Sequence, residues 1–136
     1  MAEYVKVALD AMGGDNAPHE IVKGAIDALS QRDNLYVYVV GRQDAINAEL
    51  SKYSYDKNRL EVVDAPEVIE TAEPPVMAIR KKKDSSIVKA MNLVKDKTCD
   101  AFVSAGSSGA ILVGGQVIVG RIKGVERPAC GLKEKR

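Results

Sequence analysis

The chain has 136 residues, 46% hydrophobic and 29% charged, with 20 Lys and Arg set against 19 Asp and Glu. That is one globular domain with room for a core, and its balanced charge excludes nucleic-acid binding by bulk electrostatics. Five Tyr, one Phe and no Trp supply no stacking platform for single strands, and the longest apolar stretch, Ala110 to Val119, is too short to span a bilayer. Cys99 and Cys130 have neither metal-ligand spacing nor a disulfide framework, and the Met-Ala-Glu-Tyr start shows no basic region followed by an apolar run. A cytosolic chain without a signal peptide is expected.

In chain order, Val5–Leu9 predicts a first strand. Pro18–Ser30 predicts a helix with Ile21, Val22, Ala25 and Leu29 on one face and Lys23, Asp27 and Gln31 outside. Leu35–Val40 reads as a second strand broken by Gly41, and Gln43–Lys52 as a helix with Ile46 and Leu50 inward. After a polar connector, Tyr53–Arg59, comes a third strand, Leu60–Val63, and then an irregular segment, Ala65–Pro75. Val76–Lys82 predicts a short helix with Pro75 in its first turn. Ser85 or Ser86 caps a longer helix reaching about Lys95, with Ile87, Met91 and Val94 as its buried stripe. Ala101–Val103 is a fourth strand, and a glycine-dotted helix follows from about Ser108 to Val119. Strands alternating with helices predict an α/β fold, a mostly parallel sheet with helices on both faces and ligands beyond the carboxyl ends of its strands.

Three stretches carry candidate chemistry. In "DAMGGDNAP", Gly13 and Gly14 free the backbone between Asp10 and Asp15, so successive N–H groups can form a concavity for an anion. The same residues serve equally as a tight strand-to-helix turn in which Asn16 caps the helix. In "RKKKDSSIVKA", four cations from Arg80 to Lys83 precede Asp84, Ser85 and Ser86 at a helix start, a pattern for phosphate, or else a solvated face with an ordinary cap. In "FVSAGSSGA", Ser104, Ser107 and Ser108 offer hydroxyls while Gly106 and Gly109 let a ligand close on the backbone; the alternative is close helix–strand packing. Neither glycine-rich stretch is a nucleotide fingerprint: G-x-G-x-x-G, the lysine of a P-loop, and an acid after the second strand are all missing. The one histidine, His19, falls in the first turn of a helix, and Cys99 reads as a small buried residue. A nucleophilic triad is therefore not expected. The chemistry left is that of a substrate which is itself a nucleophile, such as inorganic phosphate, and needs positioning more than activation.

"VALDAMGGDNAP", "RKKKDSSIVKAMNLVK", "DAFVSAGSSGA" and "GRIKGVERPA", in this order from Val5 to Ala129, resemble the bacterial phosphate acyltransferases of fatty acid and phospholipid synthesis. The resemblance implies transfer of a long-chain acyl group from acyl carrier protein to orthophosphate, giving acyl phosphate. It also implies a homodimer without metal or organic cofactor, cytoplasmic or peripheral at the membrane, that feeds a membrane-bound glycerol-3-phosphate acyltransferase. The implied fold is similar to that of isocitrate and isopropylmalate dehydrogenases. Carried onto these motifs, Lys83, Ser108 and Asp10 are the expected catalytic residues. Gly13, Gly14, Asp15, Asp84, Ser85, Ser86, Ser104, Gly106, Ser107 and Gly109 are expected to bind phosphate or substrate.

The chain departs from the family pattern twice. Where the family reads S-A-G-N-T-G-A, this chain has Ser107 and Ser108, which keep a hydroxyl at 108 and lose an amide at 107. After Arg127-Pro128-Ala129 the family continues into apolar strand sequence, whereas this chain reads "CGLKEKR". The expected division is thus an N-terminal acyltransferase-type domain over 1–129 and an atypical charged tail over 130–136, as in a truncated form. A catalytically silent fragment that binds phosphate or a partner is the alternative to an active enzyme. A dinucleotide-binding module is the weakest reading.

Overall fold

Side-chain alternation along the strands sorts the apolar residues onto two faces, and each face acquires its own helices. The computed structural model describes residues 4–70, 72–106 and 108–115. Strands β1 (Val5–Asp10), β2 (Leu35–Gly41), β3 (Leu60–Asp64) and β4 (Ala101–Val103) form one all-parallel sheet in the order β3-β2-β1-β4. Helices α1 (His19–Gln31), α2 (Gln43–Leu50), α3 (Pro75–Lys81), α4 (Ser86–Lys95) and α5 (Ser108–Gly114) alternate with them, and a 3-10 turn, Lys57–Arg59, leads into β3. The α/β class and parallel sheet read from the sequence are those of the structure. The end of the predicted last helix beyond 115, Ser107 and the tail over 130–136 lie outside the described residues.

On one face, Val22, Ala25, Ile26 and Leu29 of α1 and Ile46 and Leu50 of α2 pack on Val37, Val39, Leu60 and Leu9. On the other, Ala90, Leu93 and Val94 of α4 cover Ala8, Val40, Val63 and Phe102. Outside α4, Ala78 and Ile79 of α3 and Ala110 of α5 close a third cluster with Ile87, Val88 and Met91. Fully burying one such branched side chain contributes about 1.5–3 kcal/mol, so these clusters are the main source of stability.

Several boundaries differ from the sequence reading: α2 stops at Leu50 rather than Lys52, with the Ser51 N–H closing on the Asn47 carbonyl, and three further differences have their own physical reasons. The first three strands each run one residue further, to Asp10, Gly41 and Asp64, because the pairs Asp10↔Val40 and Gly41↔Asp64 extend the ladders. Asn16 does not cap α1 with its side chain; its carbonyl accepts the Glu20 N–H at 3.1 Å, and the helix begins at His19 after Pro18. Lys82 falls outside α3, since its ammonium is drawn to Glu73 Oε2 at 2.7 Å and the Val68 carbonyl at 2.8 Å.

The amino edge of the sheet is pinned by one side chain. The Arg59 guanidinium, 14% exposed, donates to the carbonyls of Leu29, Arg32, Asp33 and Leu35 at 2.7–3.3 Å and satisfies the end of α1. Replacing it, Arg59→Ala, leaves those carbonyls without this donor and is expected to cost about 2 kcal/mol, read as a lower urea midpoint at unchanged slope.

Candidate functional site

The carboxyl ends of β1 and β4 are adjacent, with Leu9 paired to Val103, so the loops that follow them must meet. They meet without a gap. The Asp10 side chain is 1% exposed; its Oδ1 accepts the Met12 N–H at 3.0 Å and its Oδ2 accepts the Ser104 hydroxyl at 2.7 Å. Ser104 Oγ in turn accepts the Gly106 N–H at 2.9 Å. One carboxylate thus fixes both loops, its own through Met12 and its neighbour's through Ser104.

Glycine is required where the loops touch. A Cβ on Gly13 would lie 2.6 Å from the Gly106 nitrogen and 2.9 Å from Asp10 Oδ2. Gly14, at φ +92°, occupies the left-handed region that side-chain-bearing residues avoid, and sits over Ala105. The backbone N–H groups of Gly13, Gly14 and Asp15 have no hydrogen-bond partner among the described residues. Successive unpaired amides on a glycine turn at a strand's carboxyl end are the physical form of an anion cradle.

The sequence-predicted residues divide here. Asp10, Gly13, Gly14, Ser104 and Gly106 are brought together, and Asp15 lies exposed at the rim. Ser107 and the Ser108 side chain lie outside the described residues. Gly109 packs on Pro75 of α3, where a Cβ would lie 2.6 Å from the proline Cγ.

The second cluster stands apart, with no hydrogen bond or ion pair joining it to the first among the described residues. Ser85 is the N-cap of α4, its hydroxyl accepting the Val88 N–H at 3.2 Å, and both Ser85 and Ser86 are buried. The Ser86 N–H bonds the Glu67 carbonyl and the Ser85 N–H bonds the Lys82 carbonyl, so this helix start is already largely satisfied from within. Lys83 and Asp84 are the solvent-facing members. Glu67, which receives Ser86 and accepts the Asp84 N–H, was not legible in the sequence: it follows a proline in a stretch without periodicity.

Two groups are removed from the chemistry by their surroundings. Burial, with Asp100 and Asp96 nearby, pushes the Cys99 thiol up to about 11, which keeps it protonated and inert. His19 Nδ1 lies 2.9 Å from Glu49 Oε1 and ties α1 to α2 on the surface.

The profile of a family described as fatty acid synthesis protein matches residues 5–133. Similar curated proteins include phosphate acyltransferases from Clostridium botulinum, 58% identical over 127 residues, and Clostridium beijerinckii, 58% identical over 125 residues; they align with 93% and 92% of this chain. One from Caldicellulosiruptor saccharolyticus is 47% identical over 129 residues, 95% of this chain. The alignments cover 38%, 38% and 39% of those proteins, so the chain spans about two fifths of their length.

The close approach makes a stability prediction. Gly13→Ala must displace buried backbone at Gly106 and is expected to cost about 1–3 kcal/mol in urea unfolding, whereas Gly24→Ala, in open space on α1, is expected to be neutral or stabilising. A second concerns pH. Hydrogen bonds from the Glu70 N–H and then from Lys82 hold the Glu73 carboxyl below its usual 4.5. Its stabilising effect is therefore present above the unfolded value and fades as pH falls through the lower folded one. The stability gap between the parent chain and Glu73→Gln should be largest near neutral pH and shrink below pH 4.5, measured by thermal melts across that range.

Proposed function

The chain belongs to the fatty acid synthesis protein family, and on that premise we propose that it serves acyl transfer from acyl carrier protein to orthophosphate, giving acyl phosphate for phospholipid synthesis. The observation that carries the reading is the run of unpaired amides at Gly13, Gly14 and Asp15, held beside the Ser104–Gly106 turn by Asp10. An oxyanion, whether phosphate or the tetrahedral adduct, is the ligand such a cradle suits.

In this reading a phosphate oxygen attacks the thioester carbonyl. The carbon–oxygen bond forms, the carbon–sulfur bond breaks, and the carrier leaves as its thiol. Phosphate lies against Gly13, Gly14 and Asp15 and the Ser104–Gly106 turn, and Ser107, Ser108 and Gly109 are assigned to it by motif position alone. Asp10 works as a positioning residue, since both of its oxygens accept hydrogen bonds from the loops it holds. Lys83 adds positive charge for the incoming anion, and Asp84, Ser85 and Ser86 set the start of the helix beside it. A homodimer, peripheral contact with a membrane and delivery of product to a membrane-bound glycerol-3-phosphate acyltransferase complete the proposal. No described helix is long and apolar enough to cross a membrane. The division at 129, with a separate tail over 130–136, belongs to the same proposal.

The chain spans 38% of the length of two of the relatives, and on that ground a second reading stands beside the first: phosphate or partner binding without turnover. The test is formation of labelled acyl phosphate from long-chain acyl carrier protein and labelled orthophosphate by the folded 136-residue chain. Label transfer supports the first reading; none from a cooperatively folded chain overturns it in favour of the second. Where transfer occurs, Ser104→Ala, which unties Gly106 from Asp10, should lower kcat by roughly 100-fold, and Lys83→Ala should act mainly through the KM for phosphate.

A further inference from the structure

Helix α3 divides its apolar residues between core and solvent. Ala78 and Ile79 are buried, but Val76 and Met77 are 49% and 46% exposed. Arg80, Lys81 and Lys83 follow on the surface, and none of the three makes an ion pair among the described residues. Lys82 is excluded from this group by its bond to Glu73, which also neutralises that acid. Asp84 lies 3.9 Å from Lys89, and Glu70 is the remaining exposed acid on the neighbouring loop. An apolar pair thus stands beside a surplus of positive charge, the make-up of an interface centre with a basic rim.

The position of this surface matters as much as its composition. Pro75, the first residue of α3, packs on Gly109 of α5, and α5 follows directly on the Ser104–Gly106 turn. A partner seated on α3 is therefore one helix, α5, away from the loops that Asp10 holds together.

We propose that α3, with Val76 and Met77 at its centre and Arg80 and Lys81 at its rim, is the docking surface for an acidic protein partner. The identification of that partner as the acyl carrier rests on the acyl-transfer reading above. Charge complementarity selects an acidic occupant. A protein fits better than a lipid surface: seven residues with two exposed apolar side chains bury little in a membrane, where interfacial anchoring uses longer helices or a second anchor. Met and Arg, by contrast, are enriched at protein interfaces.

The experiment titrates the full chain with long-chain acyl carrier protein, followed by fluorescence anisotropy at low and at physiological salt. The parent is compared with Arg80→Glu/Lys81→Glu, with Met77→Ser, and with Lys95→Glu/Lys97→Glu as a control on exposed cations elsewhere. Circular dichroism establishes that each variant is folded. The expected result is salt-sensitive binding that weakens roughly tenfold or more in the first two variants and is unchanged in the control. Equal binding by the parent and Arg80→Glu/Lys81→Glu overturns this surface while leaving the acyl-transfer reading intact. No binding of the carrier by the folded parent overturns the proposal, as does binding of anionic phosphatidylglycerol vesicles, but not carrier, that depends on Arg80 and Lys81. Carrier binding that depends on α3 without acyl phosphate formation retains the surface and overturns turnover by this chain.

Discussion

A carboxylate buried at the end of β1 holds together the loops that follow β1 and β4 at the carboxyl end of this sheet. Asp10 can stay there because two donors reach it, one from its own loop and one from the loop after β4. Remove either and a buried acceptor is left short of a partner, which in a low-dielectric interior costs more than the bond itself contributes when made. The arrangement is also self-consistent in space. Gly13 has to be bare for its backbone to lie against Gly106, and that closeness sets the Ser104–Gly106 turn beside the Asp10 carboxylate that Ser104 reaches. Sterics and hydrogen bonding thus demand the same residues at the same places.

The cations of the middle segment show how one run of like charge is divided by structure. Of Arg80, Lys81, Lys82 and Lys83, only Lys82 is drawn inward, where it holds the irregular segment after β3 through Glu73 and Val68. The other three stay in water. Ser85 and Ser86 go the opposite way, into the protein, because a helix start lying against a neighbouring strand-like segment needs its own donors closed. A segment that reads as one basic patch is therefore a structural tie, a buried cap and a free surface laid end to end.

Much of this was legible in the residues. The alternation of strand and helix, the inward faces of α1 and α2, the Ser85 cap and the special character of the Asp10–Asp15 loop follow from periodicity, capping chemistry and paired glycines, all of which are local. What was not legible depends on partners distant in sequence. Nothing near Ser104 announces that its hydroxyl meets a carboxylate 94 residues earlier. Nothing near Lys82 singles it out from its neighbours until the loop carrying Glu73 folds back. Arg59 reads as one more polar residue of a connector, and only the convergence of α1, β2 and β3 gives it four carbonyls. The family motifs locate the loops that matter, and the geometry separates the residues that hold those loops from the residues that face outward.

The guanidinium of Arg59 and the bare amides of Gly13 and Gly14 lie at opposite edges of the same sheet. At the amino edge, charged hydrogen bonds tie a helix end, a turn and two strands into one cooperative unit. At the carboxyl edge the backbone is left with donors to give away. Amide hydrogen exchange should feel that polarity: protons of β2 beside Arg59 leave only when the domain opens as a whole, whereas those of the Gly13–Asp15 loop exchange by local excursions. A ligand that fills the cradle would slow exchange at one edge and leave the other unchanged, so occupancy would be written into the protein as a difference in proton lifetimes rather than as a change of shape.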